Sequence, residues 1–204
     1  MKQLHIITPV KDSIELALQT IESILASDFT VPYHYYVYND FSTEENTMRL
    51  HEASERLGFE LVNLSDLTDH PSPNYLLTLQ TAQQKAIDAN AGLLIVESDV
   101  IVKKHTLQAL FDGASTRPDC GIAAAVTVDE QENINYPYLY AKGKEGQVFP
   151  EKKHLSFCCS LLTFSFLKAF DFHLLNPEKN WHDVTISHRS QEKGFTNYLF
   201  TSMA

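Results

Sequence analysis

The sequence predicts a single α/β domain with a Rossmann-like, mostly parallel central sheet flanked by helices. Three observations predict it. Short apolar runs alternate with amphipathic segments through residues 1–100, in a repeating strand–helix order. Leu93-Leu94-Ile95-Val96 is apolar at every position, the pattern of a parallel strand covered on both faces. Asp40 and Asp99 stand just beyond apolar runs, where an open parallel sheet binds its ligands. A chain of 204 residues fits one domain, 1–204, and can bury a core without a disulfide or a structural metal.

The elements follow in order. Leu4 to Thr8 is a short apolar run and reads as a strand. Asp12, with Glu15 three residues on, makes a capping-box pattern for a helix carrying Ile14, Leu18, Ile21 and Leu25 on one face. Tyr33 to Tyr38 is rich in β-formers. Glu44 to Leu57 is polar and helical, and Gly58 is placed to end it. Glu60 to Leu64 is a third strand, and Pro71-Ser72-Pro73 marks a loop. Leu76, Leu79, Ala82, Ala86 and Ile87 define a helix that Gly92 closes, before the strand Leu93–Val96. Beyond residue 100 the character changes. Gly121 to Val128 reads as a strand, and Asp129 to His154 as a long loop or hairpin over a site, carrying Tyr136, Tyr138 and Tyr140. Phe157 to Phe164 is strand-like, with a short helix to Phe170. Asp183 to Lys193 is helical, Gly194 ends it, and Phe195 to Phe200 is a last strand.

Composition narrows the function classes. The net charge of −10, with nine His counted neutral, gives no general attraction for nucleic acid or anionic lipid. It leaves room for an anionic small ligand beside a metal ion. The three cysteines, Cys120, Cys158 and Cys159, form no CxxC pair and read as reduced, mostly buried thiols. No apolar stretch is long enough to cross a membrane, and the start shows no signal-peptide core. The expected location is cytoplasmic, free or peripheral at the inner face of the membrane. Glycine-rich dinucleotide, P-loop and GxSxG signatures are missing.

Three acidic positions share one setting, the end of an apolar segment. They are Asp40, Asp99 and Asp183. Glu97 and Asp99 flank Ser98, a spacing that lets both approach one divalent ion, and Mg²⁺ or Mn²⁺ takes such hard oxygen ligands together with substrate phosphates. The plain alternative for Asp99 is to cap a helix starting near Lys103. Asp183 opens a helix, so its plain role is capping, and its chemical role is a general base. His5, His34 and His105 read as structural histidines, and His182 and His188 as non-metal residues.

In order, these segments resemble family 2 of the inverting glycosyltransferases, with the GT-A fold. Ile6-Ile7-Thr8-Pro9-Val10 resembles the first strand and the turn into the nucleotide pocket. Tyr38-Asn39-Asp40-Phe41-Ser42-Thr43 resembles V-D-D-x-S-T, and Val96-Glu97-Ser98-Asp99 resembles the DxD site. Phe164 to Phe172 resembles the stretch ending in a Phe-Asp pair. His182-Asp183-Val184-Thr185-Ile186-Ser187-His188-Arg189 resembles E-D-x-x-L-x-x-R. The ordered match runs from about residue 4 to 200. Asn39, Glu97 and His182 depart from the family's usual acids, and the sequence stops at Ala204, ahead of the region where many members carry a metal-binding histidine.

The resemblance implies a nucleotide-binding half, 1–100, and an acceptor-side half, 101–204. It implies that Thr8, Pro9, Asn39, Asp40, Glu97, Ser98 and Asp99 bind the nucleotide sugar. Asp99 would hold Mn²⁺ or Mg²⁺, with Glu97 assisting, and Asp183 would be the catalytic base. The implied partners are a UDP- or GDP-linked sugar donor and a glycan or lipid-linked acceptor, in bacterial polysaccharide or glycoconjugate synthesis. Two rival readings stand beside it. A sugar nucleotidyltransferase needs a Gly-rich, basic first loop, which Pro9-Val10-Lys11-Asp12 is not. A degenerate sugar-nucleotide-binding module would bind without turnover.

Overall fold

The computed structural model describes residues 1–201, so the end of the chain at Ala204 lies outside the described residues. The strands are β1 (Leu4–Val10), β2 (Tyr33–Asn39), β3 (Glu60–Asn63), β4 (Gly92–Val96), β5 (Cys120–Ala125), β6 (Val148–Pro150), β7 (Cys159–Leu162) and β8 (Thr196–Phe200). They join in one sheet in the order β3-β2-β1-β4-β7-β5-β8-β6. The helices are α1 (Ile14–Leu25), α2 (Glu44–Leu57), α3 (Tyr75–Asp88), α4 (Thr106–Ser115), α5 (Phe164–Ala169) and α6 (His182–Glu192).

Period-two alternation along the central strands explains the layers. Leu94 and Val96 of β4 pack with Ile21 of α1, Leu50 of α2 and Leu107 of α4 on one face. Leu93 and Ile95 pack with Leu79 of α3, Phe166 of α5 and Ile186 of α6 on the other. Every residue of β4 is buried, so the continuous apolar run is what two covered faces demand.

The strand order is parallel from β3 through β4, as the sequence predicts. Beyond β4 it is not. β7 lies antiparallel between β4 and β5, so β5 does not continue the parallel series beside β4. The expected loop 129–154 holds more structure than its composition announces. It contributes an isolated bridge between Val128 and Ile134 and the edge strand β6, paired with β8.

Several local expectations are corrected. Asp12 and Glu15 form no capping box, because Asp12 and Ser13 are both left-handed (φ 52° and 44°) and no side chain caps α1. Asp12 Oδ1 instead accepts from Thr43 N and Asn46 Nδ2 at the start of α2. Gly92 does not end α3. Asn90 takes the left-handed turn (φ 54°), and Gly92 opens β4, where a Cβ would meet the Met1 sulfur and the Leu4 side chain within 3 Å. His5 is buried with its ring against Tyr36, its Nδ1 has no partner, and burial lowers its pKa to about 4.

Leu94→Ala should cost about 2–5 kcal/mol, since the site lies between two helical layers and cannot collapse. Urea unfolding at neutral pH measures it.

Candidate active site

The carboxyl ends of β1, β2 and β4 lie side by side, and the loops leaving them build the site. The first two loops are laced together. Asp12 N donates to Ser42 Oγ (2.8 Å), Asp12 Oδ1 accepts from Thr43 N (2.8 Å), and Lys11 Nζ donates to the Phe41 carbonyl. The Thr43 amide and the Asn46 side chain hold the Asp12 carboxyl below its usual pKa. Phe41 is left-handed (φ 55°), a conformation that costs a non-glycine residue about 1–3 kcal/mol and persists where the surroundings over-determine it.

Asn39 explains its own departure from aspartate. Its Nδ2 donates to Thr47 Oγ1 (3.0 Å) and Asn63 Oδ1 (2.9 Å), and its Oδ1 accepts from Ser42 N. A carboxylate could not donate to those oxygens. Thr8 is similarly spent, sharing a buried hydrogen bond with the Tyr35 hydroxyl (2.8 Å). Neither Thr8 nor Asn39 is among the residues lining the cavity in front of these loops. They brace its wall.

That cavity measures about 500 Å³. Pro9, Lys11, Asp40, Glu97, Ser98 and Asp183 are among its lining residues. Asp40 does two jobs there. Its Oδ2 accepts from Ser72 Oγ and Asn74 N, both at 2.8 Å, and its Oδ1 accepts from Asn74 Nδ2 at 2.9 Å. It thus clamps the 70–74 loop as part of the cavity wall and leaves little acceptor capacity for anything else.

A second cavity of about 700 Å³ adjoins the first, and Glu97 and Asp183 line both. Asp99 is exposed and lines only the second. Asp99 does not cap the next helix, which starts at Thr106 after His105. The Glu97 amide donates to the Cys158 carbonyl (3.0 Å), which extends the β4–β7 pairing by one residue and fixes where Glu97 stands. Its carboxyl is pushed above its usual pKa by burial first and then by the negative charges of Asp99 and Asp183, against a hydrogen bond from the Tyr75 hydroxyl. Tyr75 is itself pushed well above its usual value, chiefly by burial, and stays a neutral donor. His182 is buried beside Asp183, and burial lowers its pKa, so it is neutral at pH 7.

Helix α6 carries Asp183 in its first turn, where Oδ1 accepts from Val184 N (2.8 Å). Asp183 is the second residue of the helix and not its N-cap, which is Trp181; its bond to the neighbouring amide leaves the second oxygen available. The helix is held from behind by a buried polar network. Asn197 of β8 accepts from Ser190 Oγ (2.7 Å) and donates to the Ser187 carbonyl (2.9 Å). Gly121 of β5 sits under it, where a Cβ would meet Ser190 Oγ at 2.1 Å and Phe195 Cβ at 2.7 Å.

Sequence reasoning missed Lys11, the cation at the first cavity, and the exposed Trp181 at the second, where it stands with Tyr136 of the loop already expected over a site. A lysine directly after the β1 turn was the available signal. Tyr138 is core, with its hydroxyl bonded to Ser156, and Tyr140 lies under the Lys153 ammonium (4.4 Å to the ring centre). All three cysteines are free thiols.

No protein-family model matches the sequence, and no curated protein matches it. Solved structures do. A crystal structure of S. aureus TarS, residues 1–349, covers 100% of this chain and 59% of its own, with TM-score 0.70 and 18% identity. The same portion of TarS in complex with UDP-GlcNAc matches with TM-score 0.69 and 17% identity, over 100% of this chain and 57% of that one. The mannosyltransferase PcManGT from Pyrobaculum calidifontis, in complex with GDP-Man and Mn²⁺, gives TM-score 0.67 and 12% identity over 98% and 55%. The fold is of the GT-A type. This chain spans just over half the length of these proteins, and at such identities the likeness carries the fold alone.

Among the described residues, no group of three or more His, Cys, Asp or Glu side chains forms a metal cage. Mg²⁺ or Mn²⁺ bound with substrate phosphates needs only one or two carboxylates. Glu97 and Asp99, with no positive charge among the groups acting on Glu97, fit that demand. No helix among the described residues is long and apolar enough to cross a membrane.

The raised Glu97 pKa has a defined sign in stability. Folding disfavours its ionised form, so the protein loses stability as pH rises from the usual glutamate range through the folded-state value. Glu97→Gln should therefore raise Tm at pH 7 and leave it unchanged at a pH below the glutamate range, as measured by differential scanning fluorimetry.

Proposed function

We propose that the protein transfers a sugar from a nucleoside diphosphate sugar to an acceptor hydroxyl, with inversion, as in polysaccharide or glycoconjugate synthesis. One observation carries the reading. Glu97 and Asp183 are held where two adjoining cavities meet, one at the carboxyl ends of the parallel strands and one beyond. A displacement at one carbon needs this arrangement, with the leaving group on one side and the nucleophile on the other. The GT-A fold supports it, as do the neighbours bound to UDP-GlcNAc and to GDP-Man with Mn²⁺.

The residues take distinct roles. Pro9, the Asp40-clamped 70–74 loop and Ser98 border the nucleoside and diphosphate in the first cavity. The Lys11 ammonium, half-exposed at that cavity, pairs with a phosphate oxygen. Glu97 and Asp99 hold a divalent metal, Mn²⁺ or Mg²⁺, which when bound neutralises charge developing on the departing diphosphate. Asp183 accepts the proton of the attacking hydroxyl through its free oxygen. Neutral His182 and Tyr75 beside it add no positive charge that would bind Asp183 and blunt its basicity.

A thermal-shift panel of UDP, GDP, ADP and CDP, each with and without Mn²⁺, tests the donor site. UDP or GDP should stabilise the protein, more with Mn²⁺ than without, and silence across the panel removes the reading. Asp183→Asn should keep donor binding and lower transfer by about 10²–10⁴-fold. Unchanged turnover in that variant removes Asp183 as the base.

A further inference from the structure

The second cavity has a charge and a surface of its own. Five carboxylates line it, Glu97, Asp99, Asp129, Glu130 and Asp183, against one lysine and one histidine, His154. That lysine, Lys103, is already paired with Glu132 at 2.9 Å. A divalent ion at Glu97 and Asp99 does not reverse this balance, because the two charges of a diphosphate-linked donor offset it. The rest of the lining is largely apolar, and two large aromatic rings stand open to solvent there. Trp181 is 70% exposed and Tyr136 is 80% exposed. Both cost hydrophobic free energy in contact with water, and neither serves the core.

We infer that this cavity takes an uncharged carbohydrate acceptor, seated with the C–H face of a sugar ring on Trp181 and Tyr136, and that its field rejects acceptors bearing a phosphate. The inference rests on the sugar-transfer reading and narrows it, from glycan or lipid-linked acceptors to neutral glycans. A hydroxyl needs no countercharge, and it meets Asp183 at the junction of the two cavities. A phosphate would instead face a lining of five carboxylates, which repel it as like charges.

Trp181 is the chain's one tryptophan, so its emission reports on this cavity directly. The probes are octyl glucoside, galactoside, mannoside and N-acetylglucosaminide, their 6-phosphates, and octyl phosphate, all below micelle formation and with Mn²⁺ and UDP or GDP present. At least one neutral glycoside should shift Trp181 emission to the blue and saturate. Its 6-phosphate should bind at least about tenfold more weakly. Tyr136→Ala, at a side chain that supports no core, should weaken the neutral glycoside severalfold. Glu130→Lys, an exposed carboxylate outside the reacting groups, should narrow the gap to the phosphate. Equal or tighter binding of a 6-phosphate or of octyl phosphate overturns the inference, as does silence from every glycoside. The nucleotide thermal shift on the same samples separates the two failures. Nucleotides that act while glycosides do not sink this inference alone. Glycosides that act while no nucleotide does remove the donor reading, and the acceptor role with it.

Discussion

The placing of a partly buried Glu97 beside two further carboxylates is the constraint on which the site depends. Glu97 ends β4, Asp99 follows two residues on, and Asp183 arrives on α6 from far along the chain. The charges acting on Glu97 from the other two are both negative, and burial adds to their effect. Left free, such groups would move apart into water. Glu97 and Asp183 stay close because the elements that carry them are fixed. The Glu97 amide continues a strand ladder whose two faces are closed by apolar layers. α6 is pinned to β8 through Asn197, Ser190 and Ser187, and rests on β5 where only a glycine fits. The sheet supplies the rigidity that the site's electrostatics oppose.

How much of this was legible in sequence varied with the range of the interaction. The first four strands and α2 with its Gly58 end were readable, because apolar period and left-handed glycine signals are local. The antiparallel insertion of β7 was not. Its four residues, Cys159–Leu162, are buried on both faces and look like any buried strand, and direction is set by partners far away in sequence. The loop 129–154 hid β6 for a similar reason, since three residues at a sheet edge leave no period to read. Asp12 misled because its spacing to Glu15 fits a cap, while its carboxylate turns across to α2.

The site itself was legible as a set of acids and obscure in how they divide the work. Asp40 reads as a nucleotide ligand and lines the cavity, while three of its acceptor sites are spent on Ser72 and Asn74. Asn39 looked like a lost acid and proves to be a required donor. Glu97 looked subordinate to Asp99, yet it is Glu97 that faces both cavities. No spacing rule separates a carboxylate that binds a ligand from one that binds its own backbone. The difference lies in which donors the fold brings to it.

The two cavities differ in surface, and the proposed reaction is ordered between them. The first sets Lys11 beside Asp40, Glu97 and Asp183 at the polar ends of three parallel strands. The second is apolar with a negative rim, so an anion is repelled and a neutral hydroxyl compound is not. In the proposed reaction the diphosphate resides on the Lys11 side, where that ammonium and a bound metal would draw the departing charge. The incoming group would take the other, next to the free oxygen of Asp183. The proposed in-line exchange with inversion accords with that separation, since attack and departure would then use opposite faces.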